Sequence, residues 1–455
     1  MDTSFSALTE FFQHFPIPVV VVDLETTGGH LYEDRITEIA FLHFWQGRVT
    51  SIQQLINPER SISEFVQNLT GISDAMVADA PTFAEFAPNV LSLLRGSLIV
   101  AHNSKFDYAF LRHEFARLNV AFAAPALCSV QLSRKLYPEF YKHNLDTIIE
   151  RHNLVVDSRH RAMSDVLALT AFLQLALREK GEGAWLQAAK QLFNPPMLPE
   201  NLASHLVQAA YALPDSYGVS IWRDARGKIT AIRCHEQAFR EVVLLLRQPE
   251  YARAAQLDFV PTVGALHSVV VRAEKMVHEG LLPHNELLRH TIVFQEVSGC
   301  LKARVRPLKA GFRDAPPHGL FIHSKAAKRA LLAWAKAHDL CPNLLGILPD
   351  ELPQGAPCPV SLLGKCSTAC AANDIEAHNL AVRAALNKLP VCDWGQSPCV
   401  RVTERHVLHG QTFEFLCDSG AVRLTDGTWF VDKELLMILK TKFKTDRKNI
   451  QNLSS

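Results

Sequence analysis

Ile17-Pro18-Val19-Val20-Val21-Val22-Asp23-Leu24-Glu25-Thr26-Thr27-Gly28 decides how this 455-residue chain is read. Valine is β-branched and stiff at χ1, which favours a strand. An unbroken apolar run marks a strand covered on both faces. The run therefore predicts a buried strand over 17–24. It ends on two acids, and residues i and i+2 of a strand share a face. Asp23 and Glu25 thus project together from a sheet edge. Two adjacent carboxylates repel, and a divalent cation held by both would relieve this. A motif this short is also met as a pair of hydrated acids in a turn.

The flanking chain extends the pattern. Ile36–Phe44 and Val49–Ile56 predict two more strands, joined by a turn around Gly47. Phe83–Leu94 has helical spacing, and Ser97–Ala101 is a short apolar strand. Phe106–Leu118 and Ala162–Leu177 are amphipathic. Alternating strands and helices predict an α/β layer fold. Two further acids stand at helix starts: Asp107, in His102-Asn103-Ser104-Lys105-Phe106-Asp107, and Asp165, five residues after His160. A carboxylate is favoured there by the helix dipole, so capping alone would explain either one by itself.

Taken together, the three segments resemble the motifs of the DEDDh 3′–5′ exonucleases. Val21–Gly28 is the first, Ala101–Asp107 the second, and His160 with Asp165 the third. Asn57-Pro58 and Leu69-Thr70-Gly71-Ile72 also resemble that family, and the likeness spans about 16–178. The subgroup is similar to the epsilon-type proofreading subunit of bacterial DNA polymerase III. The resemblance implies an RNase H-like domain with a mixed central sheet. It implies that Asp23, Glu25, Asp107 and Asp165 hold two Mg²⁺ or Mn²⁺, with Asp23 bridging them, and that His160 is the general base. Thr26, Thr27 and Asn103 become candidates for contacting the terminal nucleotide. His102 is read as structural.

Leu213–Asp224 resembles the opening of a GIY-YIG nuclease domain of the UvrC type, as do the spacings to Asp258–Thr262 and to Leu282–Asn285. The chemistry has been lost. Ser220 stands at the first tyrosine, Ala231-Ile232-Arg233 at the second signature, Glu241 (beside Arg240) at the arginine, and Arg272 (near Glu274) at the metal-binding glutamate. Only Asn285 keeps the family's polar end. An arginine where a cation needs a carboxylate should repel the cation. The module is expected to be a small α+β nuclease fold without nuclease activity.

Ten cysteines in a reducing compartment are not expected to form disulfides. Cys341, Cys358, Cys366 and Cys370 have the spacing C-x16-C-x7-C-x3-C, which suits a tetrathiolate site. The surrounding Leu340-Cys341-Pro342 and Gly364-Lys365-Cys366 resemble the cysteine region of UvrC-type proteins, which implies a [4Fe-4S] cluster, with zinc as the alternative. The other six cysteines read as core or surface thiols. The expected domains are 1–180 (exonuclease), 181–199 (linker, from its Gly and Pro clusters), 200–290 (degenerate GIY-YIG-like) and 291–445 (cysteine-containing region).

Composition is that of a globular protein, 48% hydrophobic and 20% charged. No run approaches the roughly 20 apolar residues of a membrane span, and the basic start of a signal peptide is missing, so a cytoplasmic place is expected. Formal net charge is +1, which alone speaks against a nucleic-acid binder. The total hides two halves. Residues 1–178 hold 14 basic and 19 acidic groups, whereas 179–455 hold 33 and 27. Within the second half, His290–Leu345 carries nine basic residues against Glu296, Asp314 and Asp339.

The expected activity is metal-dependent removal of nucleotides from DNA 3′ ends, single-stranded or mispaired, in repair or proofreading, alongside repair or replication proteins. The alternatives are an exoribonuclease of the same group and a DNA-damage-binding adaptor. The phosphodiester chemistry is shared, and only contacts to the 2′-OH separate DNA from RNA.

Overall fold

The computed structural model describes residues 5–156, 159–283, 285–348, 359–362, 374–389, 399–406 and 408–453. The chain divides into two compact units, 1–262 with 407–410, and 263–406 with 411–455.

Unit 1 begins with α1 (Ser6–Phe12), β1 (Val19–Thr26), β2 (Ile36–Trp45) and β3 (Arg48–Leu55). Then come α2 (Glu64–Thr70), α3 (Asp74–Val77), α4 (Phe83–Leu94), β4 (Leu98–Ala101), α5 (Ser104–Arg117) and β5 (Ala126–Cys128). Helices α6 (Ser129–Leu136), α7 (Leu145–His152), α8 (Ala162–Lys180) and α9 (Glu182–Lys190) complete the first part. The five strands form one sheet in the order β3-β2-β1-β4-β5. β1 is antiparallel to β2 and parallel to β4, so the sheet is mixed, as in an RNase H-like exonuclease fold. The predicted strands and helices of this region are all present, within a few residues of their expected ends.

The valine run works as its alternation demands. Val19 and Val21 face the core under α1, α6 and α8, whereas Val20, Val22 and Leu24 face the core under α4 and α5. All four valines are fully buried, each contributing roughly 1.5–3 kcal/mol. This parity places Asp23 and Glu25 on the α8 face of the sheet. A charged residue at Val21 would put an unpaired ion into the first core and break the domain.

The stretch expected to be a linker is packed instead. Trp185 on α9 is fully buried, with ring centroids 5.1 Å from Phe11 and 6.0 Å from Phe12. The amide of Asn194 donates to Ala126 O at 2.7 Å, and Pro195 O accepts from the Ala126 amide at 3.2 Å. The Gly and Pro residues mark the ends of α9 rather than a loose tether, and the apolar stripe between them decides the outcome.

The rest of unit 1 is a small module: α10 (Ser204–Tyr211), β6 (Gly218–Arg223), β7 (Ile229–His235), α11 (Ala238–Leu245), α12 (Pro249–Ala252) and β8 (Gln256–Pro261). Its antiparallel sheet has the order β7-β6-β8. Trp222, Phe239 and Tyr251 fill its core, which also takes in Ala123 from the first part.

Unit 2 opens with helix Ala265–His278. It holds a three-stranded sheet (Leu287–Val297, Cys300–Lys309, His318–Phe321) covered by helices Ser324–Ala337 and Ile375–Ala385, and a six-stranded sheet from 311–313 and 399–452. The contact division thus falls near 262 and assigns the helix 265–278 to unit 2, where the sequence alone placed a boundary near 290. No described helix is long and apolar enough to cross a membrane.

Candidate active site

Three elements bring the acids together. Asp23 and Glu25 stand part-exposed at the end of β1, and Asp165 is buried in the first turn of α8. Ligand atoms of these three lie within 4.8 Å of one another. Asp107, buried in the first turn of α5, adds a fourth charge: it is the leading charged neighbour acting on Asp23. Asn103 makes this turn possible. Its φ of 77°, in the left-handed region tolerated by Asn, swings the chain from β4 into α5.

Like charges crowded in a partly dry site resist ionisation. Burial pushes Asp23 well above its ordinary value, and Asp107, Glu25 and Glu38 push further, against the pull of Arg159. Burial, then Glu38 and Asp107, push Glu25 up to about 7. Asp107 also rises to about 7 through burial, held back by the backbone N–H groups of Asp107 and Leu24. Such a donor set is hard, oxygen-only and short of positive charge, which fits a divalent cation.

Glu38, Arg159 and Arg161 also belong to the site, although the motifs did not point to them. Glu38 lies directly across from Glu25 in the β1/β2 register and is fully buried. It accepts from Arg161 Nε at 3.1 Å and Nη2 at 2.9 Å, and from the Ala162 amide at 3.1 Å. One carboxylate therefore anchors the start of α8 to the sheet, with Asp165 one turn beyond. These bonds keep Glu38 ionised below its ordinary value in spite of burial. Arg159 Nε donates to Asp146 Oδ1 at 2.6 Å, and its Nη1 contacts Asp165. The sequence carried a trace of this: Glu38 is the one acid inside the apolar strand Ile36–Trp45.

His160 is part-exposed between Arg159 and Arg161, with φ of 60°. His102 is engaged in the fold. Its Nδ1 lies 2.9 Å from Ser129 Oγ, which donates to Ala101 O at 3.2 Å. Burial, with Arg159 second, lowers its pKa to about 4, so it is a neutral imidazole. Thr26 Oγ1 donates to Gly28 O at 2.6 Å, and Thr27 Oγ1 to Asp34 Oδ1 at 2.8 Å. Both hydroxyls close the loop that follows the two acids. A Cβ at Gly28 would stand 2.5 Å from Asp34 Oδ2, so any larger residue there must displace the Asp34 carboxylate.

The family comparison agrees with this geometry. The exonuclease (RNase_T) family model matches residues 20–173. Over residues 20–173 the chain is thus similar to exonucleases. The PolC-type DNA polymerase III of Caldanaerobacter subterraneus subsp. tengcongensis is 32% identical over 174 residues, covering 38% of this chain and 12% of that protein. The 3′-5′ exonuclease DinG of Bacillus subtilis is 37% identical over 166 residues, covering 35% and 18%. The chain thus spans less than a fifth of the length of these two relatives. Among solved structures, Exonuclease X in complex with 5′ overhanging duplex DNA is 26% identical with a TM-score of 0.31, covering 38% of this chain and 99% of that one.

A second family model, UvrC/Cho excinuclease, middle domain, matches residues 296–388. This range contains all four cysteines of the expected metal site. Cys341 is buried and sits beside Cys300, whose thiol is raised by burial and by Cys341 against Lys302. Cys358, Cys366 and Cys370 lie outside the described residues. In the same region, Lys325, Lys328, Arg329 and Lys336 are all exposed on one helix.

In the small module of unit 1, Ser220 and Glu241, both singled out by sequence, are joined through His235, which was not. Ser220 Oγ lies 2.7 Å from His235 Nε2 and accepts from Trp222 Nε1 at 2.8 Å. His235 Nδ1 lies 3.0 Å from Glu241 Oε2. Ser220 is fully buried and His235 nearly so. Arg272, within unit 2, is ion-paired with Asp432 and Glu434.

Proposed function

We propose that the protein hydrolyses nucleotides one at a time from the 3′ ends of DNA in a divalent-metal-dependent reaction serving repair or proofreading. The crowded, under-compensated carboxylate cluster at the end of β1 carries this reading. Asp23, Glu25, Asp107 and Asp165 would hold two Mg²⁺ or Mn²⁺, which when bound would acidify the attacking water and neutralise charge on the scissile phosphate. His160 accepts the proton of that water, a task suited to an imidazole near neutral pH. Glu38 holds Arg161 and the head of α8, which keeps Asp165 aimed at Asp23 and Glu25. Asn103, at the head of α5, faces the terminal nucleotide, and Thr26 and Thr27 shape the loop beneath it.

The module at 200–262 with the following helix is read as a degenerate GIY-YIG fold without chemistry. Ser220 has no solvent access, and Arg272 is neutralised by two acids where a cation site would need a carboxylate. The UvrC-like region is read as holding a four-cysteine [4Fe-4S] cluster through Cys341, Cys358, Cys366 and Cys370, with zinc as the alternative. Iron content and absorbance near 400 nm after anaerobic purification test that reading, and stoichiometric zinc in colourless protein rejects iron.

The decisive assay incubates 5′-labelled single-stranded DNA, 3′-mispaired duplex and RNA with Mg²⁺ or Mn²⁺. Stepwise shortening of the DNA substrates by wild type, and none by Asp23→Asn, is the expected result. Preferred shortening of RNA would move the assignment to the exoribonucleases, and full activity of Asp23→Asn would place the site elsewhere.

A further inference from the structure

The small module of unit 1 has no catalytic set of its own, yet it supplies one wall of a cleft that starts at the candidate active site. The cleft encloses about 470 Å³ and runs from Asn103 and Lys105, at the head of α5, along that helix to Arg112. Gln237 and Arg240, at the head of α11, form the facing wall. The volume is within the roughly 300–1,000 Å³ usual for ligand sites.

The charge balance points to an anion. Asp215 is the one acid on the described lining, and both Arg112 and Arg240 lie near enough to stabilise its charge. Arg112 Nη1 donates to Asp215 O at 2.8 Å and lies 3.4 Å from Asp215 Oδ2. One acid thus faces three cations, Lys105, Arg112 and Arg240. Lys105 and Arg240 are exposed, and neither forms a salt bridge among the described residues. Arg240 Nη1 makes one bond, to Gln237 Oε1 at 3.3 Å. Cations in excess of acids on opposite walls are suited to phosphate oxygens, and the Gln237 amide can serve sugar or phosphate. The walls are also fixed in place. The Arg112 clamp joins them, and Ala123 of the exonuclease domain is buried inside the module's core. The site is therefore preformed, with little ordering cost on binding.

We propose that this cleft carries the phosphodiester backbone of the strand being degraded, on the 5′ side of the scissile bond, with Lys105 and Arg240 contacting phosphates from its two walls. The proposal rests on the exonuclease reading above and deepens it: the module that lost its own chemistry serves as a substrate clamp.

The test uses the full chain and the variants Arg240→Glu and Lys105→Glu, with Arg240→Lys as the conservative control and thermal melts to verify folding. For a single strand of about 15 nucleotides, each charge reversal should raise KM about tenfold while kcat stays within about threefold. The effect should fade as the substrate is shortened to a dinucleotide, and R240E should show a shallower dependence of KM on salt than wild type. Unchanged KM in both reversal variants of an active enzyme overturns the cleft. Equal losses on dinucleotide and long strand also overturn it, because the residues would then act at the scissile bond. A wild type that removes no 3′ nucleotides overturns the exonuclease reading instead. The cleft is then judged by fluorescence anisotropy with the same long strand, which R240E must bind about tenfold more weakly; equal binding overturns it.

Discussion

Two crowded ionisable networks in unit 1 follow opposite rules. At the end of β1, Asp23, Glu25, Asp107 and Asp165 gather with too little positive charge, and three of them are pushed upward in pKa. In the small module, Ser220, His235 and Glu241 form a chain in which each polar group meets a partner. Burial alone would raise Glu241, but His235 and the backbone N–H groups of Gln237 and Glu236 hold it below its ordinary value. The first network costs stability, as a site kept for a cation would. The second is satisfied as it stands, which is what a structural network requires. Strain at one site and closure at the other are what the proposed division into a metal-dependent centre and an idle module requires.

The sharpest way to break the comparison is to substitute one residue in each. Asp23→Asn should lower kcat/KM for 3′-end hydrolysis by at least about 10³-fold, because it removes a metal ligand. Ser220→Ala should leave that rate within about twofold. It should cost roughly 1–3 kcal/mol of stability, since it strands Trp222 Nε1 and His235 Nε2 without their shared oxygen. A Ser220→Ala enzyme with normal stability but lost activity would reverse the assignment of the two networks.

Glu38 ranks between these two. Glu38→Ala leaves Arg161 without its buried partner and frees the Ala162 amide. Removing one member of such a pair costs roughly 3–5 kcal/mol, less here because Arg161 is part-exposed. The comparison is sharpened if activity falls more than stability does, as measured by kcat at a temperature where the variant remains folded. Glu38 would then count as a positioning residue for α8 and not merely a core ion.

How much of this was legible in the sequence differs by region, for physical reasons. The valine run and the helical stripes fixed the sheet and its helices because period and burial leave few alternatives. The four acids were legible because each stands at the end of an apolar strand or the start of a helix. Arg159 and Arg161 were not, since a basic residue beside a histidine has no period, and their roles arise only when α8 meets β2. Gly181–Pro199 was read as a linker because the Gly and Pro clusters at its ends outweighed the amphipathic stretch Trp185–Phe193 between them, which packs. The cleft between α5 and α11 was out of reach, as it joins Lys105 and Arg240 across 135 positions of the chain.

The smallest effect tests strain itself. Glu25 titrates near 7 in the folded, metal-free protein, against an ordinary value of 4.5. The native state thus holds that proton more tightly than the unfolded chain does. Its contribution is full below pH 4.5 and is lost as pH rises to about 7, so the metal-free protein should weaken across that window. Glu25→Gln cannot ionise and should escape the loss. At about pH 8 the metal-free variant should be more stable than wild type by on the order of 1–2 kcal/mol, after allowance for solvent screening of a part-exposed group. Mn²⁺ should raise the melting temperature of wild type more at about pH 7.5 than at about pH 5, since the cation competes with protons for the same oxygens. In Glu25→Gln that pH-dependent gain should shrink. Melting curves with chelator and with Mn²⁺ at several pH values read both effects. A Glu25→Gln protein less stable than wild type at high pH would mean that the cluster, like Ser220–His235–Glu241, is balanced without metal.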